Sequence, residues 1–204
     1  MNNFIVPTNV NYNFSILEQN LILLNRKFPF LNIQTISKSI LGNNLYVIKL
    51  GNGKKSVFYS GSIHANEWIC SVILMKFIED YCNAFAENKK LFGYSVSDLF
   101  TSTSIYVMPM VNPDGVNLVT GNLPQNSAGY LSAFSISSKF PNIEFPNGWK
   151  ANIRGVDFSN FQHTLLINRL DWRLLCLIIL FSKFLHIQFF HYLLIYYHLL
   201  YLND

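Results

Sequence analysis

The chain has 204 residues, of which 50% are hydrophobic, 16% aromatic and 13% charged. An average soluble domain carries about 25% charged residues, and this apolar composition excludes an intrinsically disordered, collagen-like or coiled-coil chain. Fifteen basic and eleven acidic side chains give a net charge of +4. Since the basic residues form no block, nucleic-acid binding is not expected.

The cysteines and the N-terminal residues indicate the cellular compartment in which the protein is expected. The chain holds three scattered cysteines, too few for a disulfide framework, which favours reduced thiols in a cytoplasmic protein. Residues 1–10 contain no basic stretch and no long apolar stretch. We therefore expect no secretory signal and a cytoplasmic location.

Residues 1–160 have the pattern of an α/β domain. The predicted elements, in chain order, are a helix over 12–30, strands over 33–39, 44–50 and 56–60, a helix over 67–85 and a strand over 104–111. Because strands alternate with helices, the sequence predicts a layered sheet with helices on its faces.

The C-terminal segment, residues 161–204, has a different composition. It holds four of the five histidines and no glycine, proline or glutamate, and between Leu174 and Leu202 its only formal charge is Lys183. Three interpretations stay open: a membrane-spanning helix, which needs roughly 20 apolar residues, a buried core helix, or an out-of-frame translation product of an AT-rich gene. Lys183 and several histidines and tyrosines count against the first interpretation. The lack of a polar face counts against the second, and we favour the third.

The segment Gly61–Trp68 holds the first candidate site residues. His64 and Glu67 stand between a predicted strand and a predicted helix, so their imidazole and carboxylate can converge on one Zn²⁺. Zinc in a catalytic site takes three protein ligands of N, O or S type and leaves one position open for water. Taken alone, the pair also fits a surface histidine beside a helix-capping glutamate. Its place at the carboxyl end of a strand favours a functional site.

Two further motifs follow in chain order. Residues 112–115, Asn-Pro-Asp-Gly, predict a type I turn, and residues 149–157 predict a polar loop that leads into a strand. The chain thus contains three motifs in order: a strand ending in His-x-x-Glu, a strand ending in Asn-Pro-Asp-Gly, and then Asn-x-Arg-Gly-Val-Asp. This ordered set resembles the zinc carboxypeptidase (peptidase M14) family. The resemblance covers roughly residues 10–160. It implies an α/β fold with a mixed sheet flanked by helices, here incomplete, in which residues 1–160 form the N-terminal part of a catalytic domain.

The resemblance also implies roles for single residues. His64 and Glu67 match the family's first two zinc ligands, so one Zn²⁺ is the implied cofactor. Arg154 matches the arginine that stabilises the oxyanion of the tetrahedral intermediate, where a guanidinium supplies fixed positive charge. Asp157 belongs to the strand that follows and is expected to be structural.

The substrate-binding pair departs from the family pattern. Ser159 and Asn160 stand where carboxypeptidases carry the Asn-Arg pair that binds the terminal carboxylate of the substrate. Loss of that bidentate arginine argues against ordinary C-terminal exopeptidase specificity. The variant looks more like the bacterial branch that cleaves γ-D-glutamyl-diamino acid bonds in peptidoglycan stem peptides. A peptide of one of these two kinds is therefore the expected substrate.

The third zinc ligand and the general base are not identifiable. His186, His191 and His198 fall in about the right window by count, but their apolar context is unlike the family's, and we treat the match as coincidence. No glutamate follows Glu144, so a matching base is absent. We expect weak zinc binding and no activity from this chain. A non-enzymatic remnant whose residues 174–202 associate with a membrane is the alternative.

The genetic code is compatible with a change of frame after Asn160. Relatives of this branch continue with Asn-Gln-Phe-Pro-Ala, and the observed Asn-Phe-Gln-His at residues 160–163 can be written AAT-TTC-CAG-CAT. Restoring a short deletion gives AAT-CAA-TTT-CCA-GCA, which encodes the family sequence. This hypothesis places the start of the out-of-frame stretch where the composition changes.

Overall fold

The computed structural model describes residues 4–157, and the predictions for the C-terminal segment lie outside these residues. The elements in chain order are α1 (Phe14–Lys27), β1 (Asn32–Lys38), β2 (Asn44–Leu50), β3 (Lys55–Ser60), a 3-10 turn (Ala65–Glu67), α2 (Ile69–Ala86), β4 (Lys90–Leu91), β5 (Tyr94–Ser95), α3 (Val96–Ser102), β6 (Thr103–Met108), α4 (Pro113–Val119) and α5 (Ala128–Ser137). The two helices and four strands predicted from periodicity are confirmed, with ends displaced by up to three residues.

Four strands form one mixed sheet in the order β1-β2-β6-β3. β1 pairs with β2 and β2 with β6 in antiparallel fashion, whereas β3 and β6 run parallel. Parallel neighbours need a crossover connection, and α2 lies within the one that joins β3 to β6. Because β3 and β6 are parallel, the loops that follow them leave the same edge of the sheet. The predicted mixed sheet flanked by helices is confirmed.

Helix α1 begins and ends where its sequence provides the signals. Asn13 is its N-cap, and the Asn13 side chain accepts a hydrogen bond from the backbone N–H of Ile16 at 3.0 Å. Two basic residues occupy the last turn, where cations favour the helix dipole. Apolar residues spaced three or four apart, Leu17, Leu21 and Leu24, are at most 3% exposed. Their burial fixes the helix against the main core.

Helix α2 runs through that core. The side chains of Val72, Met75 and Ile78 are at most 1% exposed and pack in one cluster with residues of α1, β2 and β6. A helix buried over most of its surface has little freedom to shift, and its first turn follows directly on the segment that holds His64 and Glu67. The core therefore gives that segment a fixed support.

The prediction of an isolated turn at residues 112–115 is wrong, because these residues open α4. Asn112 is the N-cap and its side chain accepts a hydrogen bond from the backbone N–H of Gly115 at 3.1 Å. Pro113 takes the first helical position, where a missing N–H costs nothing. A type I turn and the first turn of a helix share backbone angles near the α region, so the local signal is the same for both.

Across residues 4–157, no helix has both the length and the apolar character that crossing a membrane requires.

Candidate metal centre

His64 and Glu67 lie just beyond the carboxyl end of β3. The backbone N–H of Gly61 donates to the carbonyl of Met108, and the N–H of Val111 donates to the carbonyl of Gly61, both at 3.0 Å. These bonds continue the pairing of β3 with β6 past the regular strands. The chain then enters the 3-10 turn, whose last residue is Glu67. Sequence placed this segment at a strand end, and the structure has it there.

The two candidate ligands converge. The Nδ1 atom of His64 lies 2.9 Å from Oε1 of Glu67, and the two side chains are 21% and 48% exposed. Two ligand atoms of one tetrahedral zinc lie about 3.3 Å apart, so a small opening of this contact would admit the metal. The imidazole and the carboxylate thus point at one another, and both are partly exposed to solvent.

A second carboxylate faces the other side of the His64 ring. Oδ1 of Asp157 lies 3.4 Å from Nε2 of His64. A histidine that ligates a metal through one ring nitrogen generally donates the other N–H to a carboxylate or a carbonyl, which fixes the tautomer and the ring plane. Sequence reasoning expected only a structural role for Asp157. The strand predicted to follow Asp157 falls outside the described residues, whereas the contact of Asp157 with His64 lies within them.

Arg154 is carried by a tight loop that Asn152 organises. The Oδ1 atom of Asn152 accepts hydrogen bonds from the backbone N–H groups of Arg154 and Val156 at 2.9 and 3.0 Å. The N–H of Gly155 donates to the carbonyl of Asn152 at 3.0 Å, and Gly155 adopts the left-handed conformation at φ 76° that glycine favours. The side chain of Arg154 is exposed, so its guanidinium faces solvent.

The Arg154 loop docks on the segment that holds His64. The backbone N–H of Ala65 donates to the carbonyl of Lys150 at 3.0 Å. Ala65, Trp149 and Ile153 share a second hydrophobic cluster with residues of α4 and α5. The structure therefore brings His64, Glu67 and the loop of Arg154 and Asp157 to one edge of the sheet.

The donor set is incomplete within the part of the chain that the structure describes. Among residues 4–157, no group of three or more His, Cys, Asp or Glu side chains is arranged to hold a metal ion. Cys70 follows Glu67 by one turn, but burial, and to a smaller extent Glu67, raises the pKa of its thiol. A protonated thiol is a poor zinc ligand. Ser159, Asn160 and the three histidines considered as third ligand lie outside the described residues.

The sequence of the chain also matches a known protein family. The family described as Zinc carboxypeptidase matches residues 17–162 of the chain. The protein belongs to this family, peptidase M14, as the order of its three motifs indicates.

Single proteins with similar sequences or structures can also be named. Gamma-D-glutamyl-L-diamino acid endopeptidase 1 of Lysinibacillus sphaericus is 38% identical over 150 residues, which are 74% of this chain and 37% of that protein. The uncharacterized protein YqgT of Bacillus subtilis (strain 168) is 37% identical over 150 residues, 72% of this chain and 39% of YqgT. Among solved structures, the crystal structure of carboxypeptidase A from Helicoverpa armigera is similar over 74% of this chain and 32% of the carboxypeptidase chain, with 16% sequence identity and a TM-score of 0.47. The chain thus spans less than two fifths of the length of these relatives.

Proposed function

We propose that this chain carries part of the active site of a zinc metallopeptidase, with His64 and Glu67 as two of the metal ligands. The single observation that carries the proposal is the 2.9 Å approach of His64 Nδ1 to Glu67 Oε1 at the end of β3. Asp157 supports it, since its carboxylate lies 3.4 Å from the second ring nitrogen of His64. Metal-ligating histidines are typically held in this way.

Each residue has a definite task in this scheme. When bound, zinc polarises the scissile carbonyl and acidifies the attacking water. Asp157 accepts the N–H of His64 Nε2 and so presents Nδ1 to the metal. Arg154, exposed at the tip of its loop, supplies positive charge to the oxygen that becomes negative as the peptide bond is attacked.

For the substrate, we propose a peptide, and more narrowly a peptide with a γ-D-glutamyl-diamino acid bond such as peptidoglycan contains. Ser159 and Asn160 replace the pair that would bind a terminal carboxylate, which favours an endopeptidase over a carboxypeptidase. A relative named as an endopeptidase for γ-D-glutamyl-L-diamino acid bonds is 38% identical. A cytoplasmic location accords with this proposal, as in an enzyme of sporulating cells.

For these 204 residues on their own, we propose weak zinc binding and no measurable turnover. Two ligands leave a site from which the metal dissociates easily. Without a positioned base, general acid–base catalysis loses about 10²–10⁴-fold in rate. The sequence after Glu144 offers no glutamate for that role.

A second candidate function is a non-enzymatic remnant that associates with membranes through residues 174–202. The observation in its favour is that Lys183 is the only formal charge in this stretch. Membrane fractionation separates the two candidates. A remnant that inserts into the bilayer is recovered with lipid and resists carbonate extraction, whereas an out-of-frame segment leads to aggregates that sediment without lipid.

The decisive experiment measures zinc content together with hydrolysis of a C-terminal peptide substrate and of a γ-D-glutamyl-diaminopimelate peptide. We expect substoichiometric zinc, further reduced in His64→Gln and Glu67→Gln but unchanged in the control Glu87→Gln at the distant end of α2. Zinc uptake that neither ligand variant reduces would overturn the metal assignment. Stoichiometric zinc with turnover would overturn the proposed inactivity and would assign the missing ligand and base to residues 158–204.

A further inference from the structure

Asn112 joins three segments that meet at the candidate metal centre. Its Nδ2 group donates one hydrogen bond to the carbonyl of Ala151 at 3.0 Å and a longer one to the carbonyl of Ile63 at 3.4 Å. Its Oδ1 atom accepts from the backbone N–H of Gly115 at 3.1 Å. The backbone N–H of Asn112 donates to the carbonyl of Ser62 at 3.0 Å. The side chain thus uses both of its amide donors and its acceptor.

The partners of Asn112 are placed where they control the site. Ile63 immediately precedes His64 in the chain, and Ala151 immediately precedes Asn152, whose side chain fixes the Arg154 loop. One amide therefore holds the segment of His64 and the loop that ends in Asp157 at a fixed separation. Asn112 is 3% exposed, so these bonds are sheltered from competing water.

The close packing around Asn112 leaves no room for a larger adjustment. A Cβ atom on Gly115 would lie 2.6 Å from Nδ2 of Asn112 and 2.7 Å from Cβ of Ala65, both closer than real contacts allow. Glycine at 115 therefore lets the start of α4 approach the His64 segment. The amide is held in place by this approach as well as by its hydrogen bonds.

We propose that Asn112 is a positioning residue, which sets the distance between His64 and Asp157 by bridging the backbones that carry them. The proposal rests on the proposed function, because His64 matters to the chemistry only as a metal ligand. It assigns to a residue outside the ligand set a share in zinc affinity. Loss of an outer residue that orients a ligand typically weakens metal binding about 10–100-fold.

The test replaces one atom of the amide and keeps the helix cap. Asn112→Asp retains an oxygen for the N–H of Gly115, and aspartate caps helices as well as asparagine does. The second carboxylate oxygen then stands where Nδ2 was and faces the carbonyls of Ile63 and Ala151, so two bonds become repulsive contacts. The matched control is Asn20→Asp on α1. Asn20 is 5% exposed, accepts from the hydroxyl of Tyr12 and donates through Nδ2 to a backbone carbonyl, so it suffers the same chemical change far from the site.

Two measurements on the full chain separate positioning from general stability. Competition with a chromogenic chelator gives the zinc dissociation constant, which we expect to rise about 10-fold or more in Asn112→Asp and less than about twofold in Asn20→Asp. The imidazole nitrogen resonances of His64 in the metal-free protein, identified by their absence in His64→Gln, are expected to shift in Asn112→Asp only. Asn112→Ser, which keeps a capping oxygen without added charge, should show both changes to a smaller extent if Asn112→Asp does not fold.

The outcomes distinguish this proposal from the function on which it rests. If zinc uptake does not depend on His64, the proposed function fails, and the resonances of His64 alone then decide whether Asn112 positions the ring. Resonances and zinc affinity that stay at wild-type values in both Asn112 variants would overturn the proposal. Equal changes in Asn20→Asp and Asn112→Asp would also overturn it, since they would mark Asn112 as one stabilising residue among others.

Discussion

Glu79 is the buried carboxylate whose loss we expect to destabilise the fold most. It is fully buried on α2 and accepts hydrogen bonds from the backbone N–H groups of Ile5 at 2.6 Å and Val6 at 3.3 Å. Nζ of Lys76, a residue only 4% exposed, lies 3.0 Å from Glu79 and 3.0 Å from Asp80. One carboxylate therefore neutralises a buried ammonium and also fastens the N-terminal segment to the central helix.

The expected magnitude for Glu79→Gln follows from these contacts. Removing one partner of a buried ion pair costs about 3–5 kcal/mol, because the remaining charge is left uncompensated. Asp80 still faces Lys76, and glutamine can still accept one backbone N–H, so we expect about 3 kcal/mol, the lower end of that range. Since the loss comes mostly from the ammonium of Lys76, which then has Asp80 as its remaining carboxylate, adding Lys76→Met should restore about 1–3 kcal/mol as a coupling between the two sites.

Urea unfolding followed by far-UV circular dichroism measures these free energies. The control is Glu87→Gln, which breaks the exposed ion pair of Glu87 with Lys89 and should leave the unfolding midpoint unchanged. A loss below about 0.5 kcal/mol in Glu79→Gln, within the range of ordinary surface substitutions, would refute the reasoning. So would a double variant that is no more stable than the single one, because the charge of Lys76 would then not be the source of the loss.

Three further predictions concern the stability of the fold. Asp114 accepts three hydrogen bonds from the turn at residues 39–43. Asp114→Asn should therefore lower the free energy of unfolding, measured in urea, by about 2 kcal/mol. An unchanged free energy would show that the turn is stable without these bonds. Ser62 has a positive φ of 50°, in the left-handed region that glycine adopts without strain. The variant Ser62→Gly should therefore be about 1 kcal/mol more stable than Ser62→Ala. Equal stabilities of the two variants would show that the backbone of Ser62 carries no strain. Burial raises the pKa of Cys82 and of Tyr81 to about 12, so between their unfolded pKa values and about pH 12 the folded state retains protons that the unfolded state releases. Stability should therefore fall with rising pH, from about pH 9 for Cys82 and from about pH 10 for Tyr81, by at most about 1.4 kcal/mol per pH unit for each group. Cys82→Ala should flatten that fall, and an unchanged slope would contradict the assignment.

The elements that the sequence predicts are those whose signals are local. Leu17, Leu21 and Leu24 form an apolar stripe at helical spacing, and they are buried in α1 as that spacing requires. The strands between glycine-rich turns were likewise predicted from signals within each segment. Helix α5 was not predicted, since its apolar side chains do not fall on one face: Leu131 and Phe134 are each 54% exposed while Ala133 is buried. Periodicity cannot detect a helix that lacks it.

In the candidate site, too, only the local features could be predicted from the sequence. His64 and Glu67 are three residues apart, and a spacing of that length is visible in the sequence before any fold is known. The contact of His64 with Asp157 and the bonds of Asn112 to Ile63 and Ala151 join residues that are 39 or more positions apart. The parallel pairing of β3 with β6 brings His64 and Asn112 to one edge of the sheet. The hydrogen bond between Ala65 and Lys150 docks the loop that ends in Asp157 at the same edge.

The three motifs are therefore parts of one packed unit. Asn112, Asp114 and Asn152 lie in the second and third motifs, and each is at most 8% exposed. Each uses its polar side chain to hold backbone groups: Asn112 the segments on either side of the site, Asp114 the β1–β2 turn, and Asn152 the loop of Arg154. A short amide or carboxylate satisfies backbone donors and acceptors where no regular strand or helix can. Loops with this support can present a histidine and a carboxylate at 2.9 Å from one another. Asn112 and Asn152 thus help to fix the arrangement of His64, Glu67 and the loop that ends in Asp157.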